Sequence, residues 1–155
     1  MKVHLWAMGA VSDVWVQQGE DMYRKRIDRY LPFEYKCIQA SRSNQKTQVL
    51  QEEAKWLLQQ LDQTSTKLIL LDETGPQLSS VQFASKLESW RQGSHKRLVF
   101  LIGSAYGFDP QVYERADGLL GFSAMTLPHQ LCRLLMLEQL YRACSILKGE
   151  SYHHA

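Results

Sequence analysis

Two short apolar runs constrain the fold of this chain more than any other feature. Residues 67–71 read K-L-I-L-L and residues 98–102 read L-V-F-L-I, with bulky aliphatic side chains at successive positions. A strand that is apolar on both faces is typical of a parallel sheet covered by helices on both sides. The two runs therefore predict the central strands of a layered α/β domain.

Strand and helix patterns alternate along the rest of the chain. The apolar segments at 2–8, 33–38 and 119–122 predict further strands, and each is separated from the next by a segment of helical periodicity. The longest predicted helix runs from 128 to 147. The resulting order, β-α-β-α-β-α-β-α-β-α, predicts a largely parallel sheet with helices on both faces. We expect a single domain over residues 1–155.

Composition narrows the classes of protein that fit. Hydrophobic residues make up 45% and charged residues 22%, which is typical of a globular protein. No apolar run approaches the ~18 residues of a membrane span, so we expect no membrane partner. Cys37, Cys132 and Cys144 are odd in number and scattered, which argues against a disulfide framework or a zinc site. We expect three buried thiols in a reducing cytoplasm.

Charge gives a weaker indication of partners. The net charge is only +2, but residues 24–29 read R-K-R-I-D-R and so concentrate four cations in less than two helical turns. Such a cluster suits contacts with RNA phosphates and also suits an ordinary solvated helix face.

Three predicted strand ends converge on one edge of the sheet. Leu71, Gly103 and Phe122 each stand at the carboxyl end of a predicted strand, where ligands of open α/β sheets bind. Residues 103–107 form a glycine-bearing turn that is neither a dinucleotide motif nor a P-loop. Residues 122–127 offer backbone groups to an adenine or a ribose. Both segments also fit plain strand-to-helix connections.

The last helix and the tail hold the remaining candidates. The apolar residues of 128–147 cover more than one stripe, which fits either a two-fold homodimer interface or a central core helix. Glu138 and Arg142 have the spacing of a helical ion pair. The tail Y-H-H at 152–154 combines an aromatic ring with imidazoles able to stack on a base or move a proton.

Four blocks of sequence carry a family resemblance. They are I-G-x-x-x-G at 102–107, F-S-x-M-T-L-P-H-Q-L-x-R at 122–133, L-E-Q-L-Y-R-A at 137–143 and Y-H-H at 152–154. In these blocks the chain resembles the RlmH family, SPOUT-class methyltransferases of bacterial large-subunit ribosomal RNA. Length and N-terminal pattern extend the resemblance over the whole chain.

The resemblance implies a SPOUT (alpha/beta knot) fold whose C-terminal stretch threads a trefoil knot, with knot and cofactor site in about 98–155. It also implies a cytoplasmic homodimer that holds S-adenosylmethionine (SAM) and methylates N3 of a pseudouridine in helix 69 of 23S rRNA, within the ribosome. No metal ligands are implied. The implied cofactor contacts are Leu71, Gly103, Phe122, Ser123, Ala124, Met125, Thr126 and Leu127. The residues implied near the target base are His129, Arg142, Tyr152 and His153.

One position departs from the family pattern. The family usually has a second glycine after the isoleucine, and here that residue is Ser104. If this backbone position needs a positive φ, serine adds strain of about 1 kcal/mol or more. The geometry of this turn, and with it the affinity for the cofactor, therefore depends on the φ angle of Ser104.

Mechanistic expectations follow from the chemistry of an imide. A neutral histidine, His129 or His153, is suited to accept the N3 proton near neutral pH, unless solvent accepts it. Arg142 is suited to stabilise the resulting anion or to hold a phosphate.

Two other classes of protein share features with this sequence: phospho-receiver modules and non-catalytic RNA-binding modules. Asp72 at the end of a central strand is typical of phospho-receiver modules, but residues 9–11 (G-A-V) lack the acidic pair such modules carry after the first strand. A non-catalytic RNA-binding α/β module that uses the 24–29 cluster is the alternative function.

Overall fold

The computed structural model describes residues 1–154 and contains one five-stranded sheet in which every pairing is parallel. The order of strands is β2-β1-β4-β3-β5, so the two predicted central runs lie side by side next to β1. The predicted α/β class and element order are confirmed. The strands are β1 (Lys2–Met8), β2 (Phe33–Ile38), β3 (Thr66–Leu71), β4 (Arg97–Ile102) and β5 (Gly118–Leu120).

Helices cover both faces, as predicted. On one face α5 packs between α1 and α3; on the other, α2 packs against α4. The side chains of β4 alternate between two apolar clusters, with Phe100 on the α5 side and Leu101 on the α2 side, both fully buried. The helices are α1 (Val14–Ile27), α2 (Lys46–Asp62), α3 (Ser80–Arg91), α4 (Pro110–Arg115) and α5 (His129–Leu147).

The central position of α5 accounts for much of its apolar circumference. It buries one stripe on the sheet and further stripes on α1 and α3, and Met136, Leu137 and Leu140 are fully buried within the chain. A core role therefore explains this helix without a partner subunit.

A buried arginine ties α5 to the sheet. Arg133 is 1% exposed, and its Nη2 donates to the carbonyl oxygens of Met8 at 2.6 Å and Gly9 at 3.0 Å. Both carbonyls lie at the end of β1, so the first turns of α5 are held at the carboxyl edge of the sheet. Its Nη1 also approaches the thiol of Cys37 at 3.7 Å.

Two sequence expectations are wrong in detail. The fifth strand ends at Leu120 rather than at 122, because the backbone N–H of Gly121 donates to the carbonyl of Pro76 in the loop after β3 and leaves the ladder. Cys37 is exposed rather than buried, because it lies on the edge strand β2; Cys132 is half-buried and Cys144 is buried. None of the helices described in residues 1–154 has the length and apolar content to cross a bilayer.

Candidate active site

A cavity of about 820 Å³ opens at the carboxyl ends of β3, β4 and β5. Its walls come from three segments, residues 71–74, 102–108 and 120–129, each of which follows one of these strands. Parallel strands bring these segments together because all their carboxyl ends meet at one edge of the sheet.

The turn after β4 packs too closely to admit a side chain at Gly103. A Cβ atom on Gly103 would lie 2.9 Å from both the carbonyl oxygen of Gly107 and a ring carbon of Phe108. Gly107 has φ +78° and closes the turn by donating to the carbonyl of Ser104 at 3.0 Å. No non-glycine residue among 1–154 has a positive φ, so Ser104 fits this turn without backbone strain.

The segment after β5 forms the opposite wall. Phe122, Ser123, Met125, Thr126 and Leu127 line the cavity, as does Leu71 at the end of β3. Ala124 is exposed, and it does not line the cavity, whereas the residues on either side of it do.

Hydrogen bonds shape this wall. The backbone N–H of Met125 donates to Ser123 Oγ at 3.0 Å, and the Thr126 hydroxyl donates to a carboxylate oxygen of Glu73 at 3.3 Å. The second contact ties the segment after β5 to the loop after β3. Met125 is 75% exposed, which leaves an apolar side chain at the mouth of the cavity.

The cavity carries negative charge. Asp72 and Glu73 line it, and no lysine or arginine of residues 1–154 does so. Asp72 accepts hydrogen bonds from Thr74 N–H at 2.8 Å and from the Tyr113 hydroxyl at 2.5 Å. Desolvation opposes ionisation of Asp72, but these hydrogen bonds outweigh it and lower its pKa. Burial and the hydrogen bond to Asp72 raise the pKa of Tyr113 to about 12. The site therefore keeps at least one fixed carboxylate at neutral pH.

The sequence interpretation missed this acidic pair as a feature of the cavity. In the sequence, Asp72 indicates only a possible phospho-receiver module, and no pattern singles out Glu73 or Tyr113. The signal that could have revealed the pair is the position of two adjacent carboxylates directly after a central strand, at the edge of the sheet where ligands bind. Within residues 1–154 no group of three or more histidine, cysteine, aspartate or glutamate side chains is arranged to hold a metal ion.

His129 is the first residue of α5, and it lines the cavity. It is half-buried, so its imidazole is partly accessible to solvent. Of the four residues implied near a target base, His129 alone borders this cavity.

The other three form a separate cluster at the far end of α5. The guanidinium of Arg142 donates to Glu138 at 2.5 Å, and the Tyr152 hydroxyl donates to the same carboxylate oxygen at 3.1 Å. Arg142 also lies 4.6 Å from the centroid of the Tyr152 ring and 3.3 Å from Nδ1 of His153. We call Glu138, Arg142, Tyr152 and His153 the tail cluster.

Electrostatics fix the protonation states in the tail cluster. The hydrogen bond and charge of Glu138 raise the pKa of Arg142, which stays cationic. Burial, followed by a hydrogen bond with Tyr23 and the charge of Glu138, raises the pKa of Tyr152. A guanidinium can only donate, so in its contact with Arg142 Nη1 the Nδ1 atom of His153 is the acceptor.

The tail is packed against the body of the protein. The rings of Tyr141 and Tyr152 lie 4.6 Å apart, and the Tyr30 hydroxyl donates to Glu150 at 2.5 Å. These contacts hold the described tail residues 150–153 beside α1 and α5.

The two groups of candidate residues do not meet within one chain. His129 and Arg142 are 13 positions apart on α5 (142 − 129), which corresponds to about 20 Å along a helix. The structure thus gathers the cofactor candidates and His129 at one end of α5 and places the tail cluster at the other.

The basic cluster on α1 is only partly free. Arg24 pairs with Asp21 at 3.7 Å and lies over the ring of Tyr35, and Arg26 lies between the rings of Tyr23 and Tyr141 at 5.7 and 5.3 Å. Lys25 and Arg29 are exposed. The cluster borders the tail rather than the cavity.

Comparisons with known proteins cover the whole chain. A family model described as "Predicted SPOUT methyltransferase" matches residues 1–153. A protein of Cytophaga hutchinsonii named "Ribosomal RNA large subunit methyltransferase H" is 43% identical over 155 residues, covering 99% of this chain and 100% of that one. One of the same name from Trichlorobacter lovleyi is 41% identical over 154 residues, with 99% and 100% coverage.

A solved structure supports the fold. A probable methylase family protein from Haemophilus influenzae superposes with a TM-score of 0.56 at 9% identity, covering 99% of this chain and 70% of that one. At this identity the likeness concerns the arrangement of strands and helices alone.

Proposed function

This chain belongs to the SPOUT methyltransferase family, and on that premise we propose that it transfers a methyl group from SAM to N3 of a pseudouridine in helix 69 of 23S rRNA. Relatives 36–43% identical over almost the full length are named for methylation of large-subunit ribosomal RNA. The aligned part covers 99% of this chain in each of these comparisons.

The acidic cavity at the ends of β3, β4 and β5 is the observation that carries the proposal. SAM has a sulfonium and an ammonium group, and a cavity with two carboxylates and no cation among its described lining residues complements such a ligand. The glycine at 103 lets the turn after β4 close against Gly107 and Phe108 at the edge of this cavity. Of the implied cofactor contacts, we assign all but Ala124 to this cavity.

Bound SAM would supply an electrophilic methyl carbon. The protein's part is to hold the base in line with that carbon and to remove the N3 proton. His129 lies at the cavity mouth, whereas Nδ1 of His153 already accepts from Arg142. His129 is therefore the better placed base, and Arg142, which stays cationic, suits the anion that forms at N3 or a neighbouring phosphate.

A homodimer resolves the separation of about 20 Å along α5 between His129 and Arg142. A two-fold axis that lays the two α5 helices antiparallel would place the tail cluster of one protomer at the cavity of the other. Three apolar side chains on α1, the helix beside α5, are well exposed: Val14 at 64%, Trp15 at 59% and Met22 at 41%. Exposed apolar groups of this size favour a subunit contact at this face.

The chain crossing beyond β5 fits the implied trefoil knot. Residues 120–121 pass against residues 72–76, with Asp72 N–H donating to Leu120 O at 3.0 Å and Gly121 N–H donating to Pro76 O at 3.1 Å. We propose that this crossing closes the knot, and that the enzyme acts in the cytoplasm on helix 69 within the ribosome.

Mass spectrometry of 23S rRNA tests the proposal. A strain without this protein should lack one methyl group on a helix 69 pseudouridine, and purified protein with SAM should restore it on ribosomes from that strain. An unchanged methylation pattern in the deletion strain would overturn the proposed reaction. Activity profiles against pH for His129→Ala and His153→Ala test which group removes the N3 proton. We expect a large loss of methyl transfer for His129→Ala. Full activity of both variants would show that neither histidine is the base.

A further inference from the structure

A second pocket lies at the same edge of the sheet, beyond β2. It has a volume of about 420 Å³ and lies between the segment after β2, residues 38–42, and one side of α2. Arg42, Glu52, Glu53 and Trp56 contribute its functional side chains. None of them belongs to the cavity assigned to SAM.

Glu53 has no structural reason to be a carboxylate. It is only 6% exposed, and its Oε1 is buried without a hydrogen-bond partner among residues 1–154. Burial raises the pKa of Glu53, and the nearby Ser104 side chain lowers it only in part. A buried unpaired acid destabilises a fold, whereas an apolar residue on this face of α2 would stabilise it.

The neighbouring Glu52 shows the contrast. It is exposed and accepts hydrogen bonds from Ser41 and from Gln48, the latter at 3.0 Å. The exposed carboxylate is satisfied by the chain, whereas the buried one has an oxygen without a hydrogen-bond partner among residues 1–154.

The other side chains of the pocket suit a ligand that combines a flat ring with a phosphate group. Trp56 is half-buried and is held by the edge of Trp6, whose ring centroid lies 6.1 Å away, so one aromatic surface is fixed in the pocket. Arg42 is exposed at the rim. Fixed aromatic rings stack on unpaired bases, and exposed arginines contact phosphates.

We infer that this pocket binds an unstacked base of the substrate RNA that carries an exocyclic amino group: cytosine, adenine or guanine rather than uracil. Glu53 accepts a hydrogen bond from the amino group, Trp56 stacks on the ring and Arg42 contacts a backbone phosphate. The inference rests on the proposed function, which supplies RNA as the substrate.

The position of the pocket fits a strand of RNA laid along the edge of the sheet. Ser104 lines the SAM cavity, and its side chain is close enough to Glu53 to lower the pKa of that residue, so the two sites adjoin at Ser104. RNA that presents its target base to the cavity therefore has a nearby nucleotide within reach of the pocket.

Fluorescence anisotropy with labelled hexamers of cytidine, adenosine and uridine tests the inference on the full-length protein. We expect wild type to bind the cytidine and adenosine hexamers about tenfold more tightly than the uridine hexamer. Glu53→Gln should abolish this preference, because its amide donates to uracil as readily as its oxygen accepts from cytosine. Trp56→Leu should weaken all three hexamers together.

Thermal unfolding of the same variants separates a binding role from a structural one. Glu53→Gln should leave the Tm unchanged or raise it while it removes the preference, since the buried Oε1 of Glu53 has no hydrogen bond to lose. Asp62→Asn, an equal change of charge at an exposed position on the same helix, should leave the preference intact.

Equal binding of the three hexamers by wild type, or a Glu53→Gln protein that keeps the preference, would overturn the inference. A Glu53→Gln protein with a lower Tm would overturn it as well, because Glu53 would then be structural. Calorimetry with SAM on the same preparations keeps the two proposals apart: SAM binding without a base preference contradicts this inference alone, and absence of SAM binding contradicts the proposed function.

Discussion

Gly75 and Gly121 face each other where two segments of backbone cross. A Cβ atom on Gly121 would lie 2.7 Å from the carbonyl oxygen of Gly75, and one on Gly75 would lie 2.7 Å from the backbone nitrogen of Leu120. Neither residue has a positive φ, so contact distance alone excludes a side chain here. The crossing joins the loop after β3 to the segment after β5, the two walls of the cavity.

Gly121→Ala should therefore destabilise the protein by about 1–3 kcal/mol, the usual range for an overpacked interior. Urea unfolding measures this loss. Gly118→Ala is the matched control, since its Cβ would meet only the Ile69 Cδ1 atom at 3.4 Å, an ordinary contact. Equal stability of the two variants would show that the crossing is loose.

Glu73 should favour SAM over S-adenosylhomocysteine, the uncharged thioether that remains after transfer. A carboxylate at the cavity stabilises the sulfonium and not the thioether, which also helps the product to leave. Glu73→Gln should reduce the ratio of the two affinities two- to fivefold, about 0.5–1 kcal/mol for a solvent-exposed charge. Calorimetry at low and high salt measures the ratio, and the effect should shrink at high salt.

Glu114→Gln serves as the control for Glu73, because Glu114 is exposed and lies outside the cavity. It should leave the ratio unchanged. An unchanged ratio in Glu73→Gln would show that this carboxylate plays no part in recognising the sulfonium.

His4 should make stability depend on pH. Burial lowers the pKa of His4 from 6.5 to about 4, with Glu34 opposing and Arg97, Lys2 and Lys36 assisting. Between pH 6.5 and pH 4 the unfolded chain therefore binds a proton that the folded chain does not. The stabilisation is complete above pH 6.5 and is lost as the pH falls towards 4, by on the order of 2–3 kcal/mol.

Urea unfolding of wild type and His4→Phe across this range measures the effect. The difference in free energy of unfolding between the two proteins should change with pH between 4 and 6.5 and stay constant above. His154→Gln, at an exposed tail position, should follow wild type. Parallel pH profiles for wild type and His4→Phe would contradict the buried neutral histidine.

Mixed dimers test whether the active site is shared between protomers. Arg142→Ala removes the tail cluster's cation, and Thr126→Arg blocks the cavity and neutralises Glu73, to which Thr126 is hydrogen-bonded. If the site is shared, a one-to-one mixture of the two inactive proteins should regain about a quarter of wild-type methyl transfer, because half of the dimers then have one intact site. A mixture as inactive as its parts would place the whole site within one chain.

The sheet was predictable because its signals are local. The runs at 68–70 and 98–102 are buried on both faces, and Ser79 with Gln82 forms a capping box at the start of α3 that its sequence indicates. The end of β5 could not be predicted from the sequence, because Gly121 leaves the ladder through a contact with Pro76, 45 positions earlier in the chain (121 − 76). A contact of that range has no local signature.

The candidate site was predictable to the same extent. The convergence of Leu71, Gly103 and the 122–127 segment follows from parallel strands alone, and the cavity bears it out. The separation of Arg142 from His129 follows from their spacing on one helix, whereas the places of Tyr152 and His153 beside Arg142 depend on how the tail packs. The unpaired state of Glu53 could not be predicted for a similar reason. An amphipathic helix pattern indicates that the side chain faces inward, but it does not show whether a hydrogen-bond partner lies there.

Isothermal calorimetry of the purified protein with SAM, beside Thr126→Arg, tests the central claim most directly. We predict that SAM binds to wild type with one site per chain, and that the heat of binding disappears in Thr126→Arg while its unfolding curve stays unchanged. Wild-type protein that gives no heat with SAM, or a folded Thr126→Arg protein that binds SAM as tightly as wild type, would contradict the assignment of this cavity.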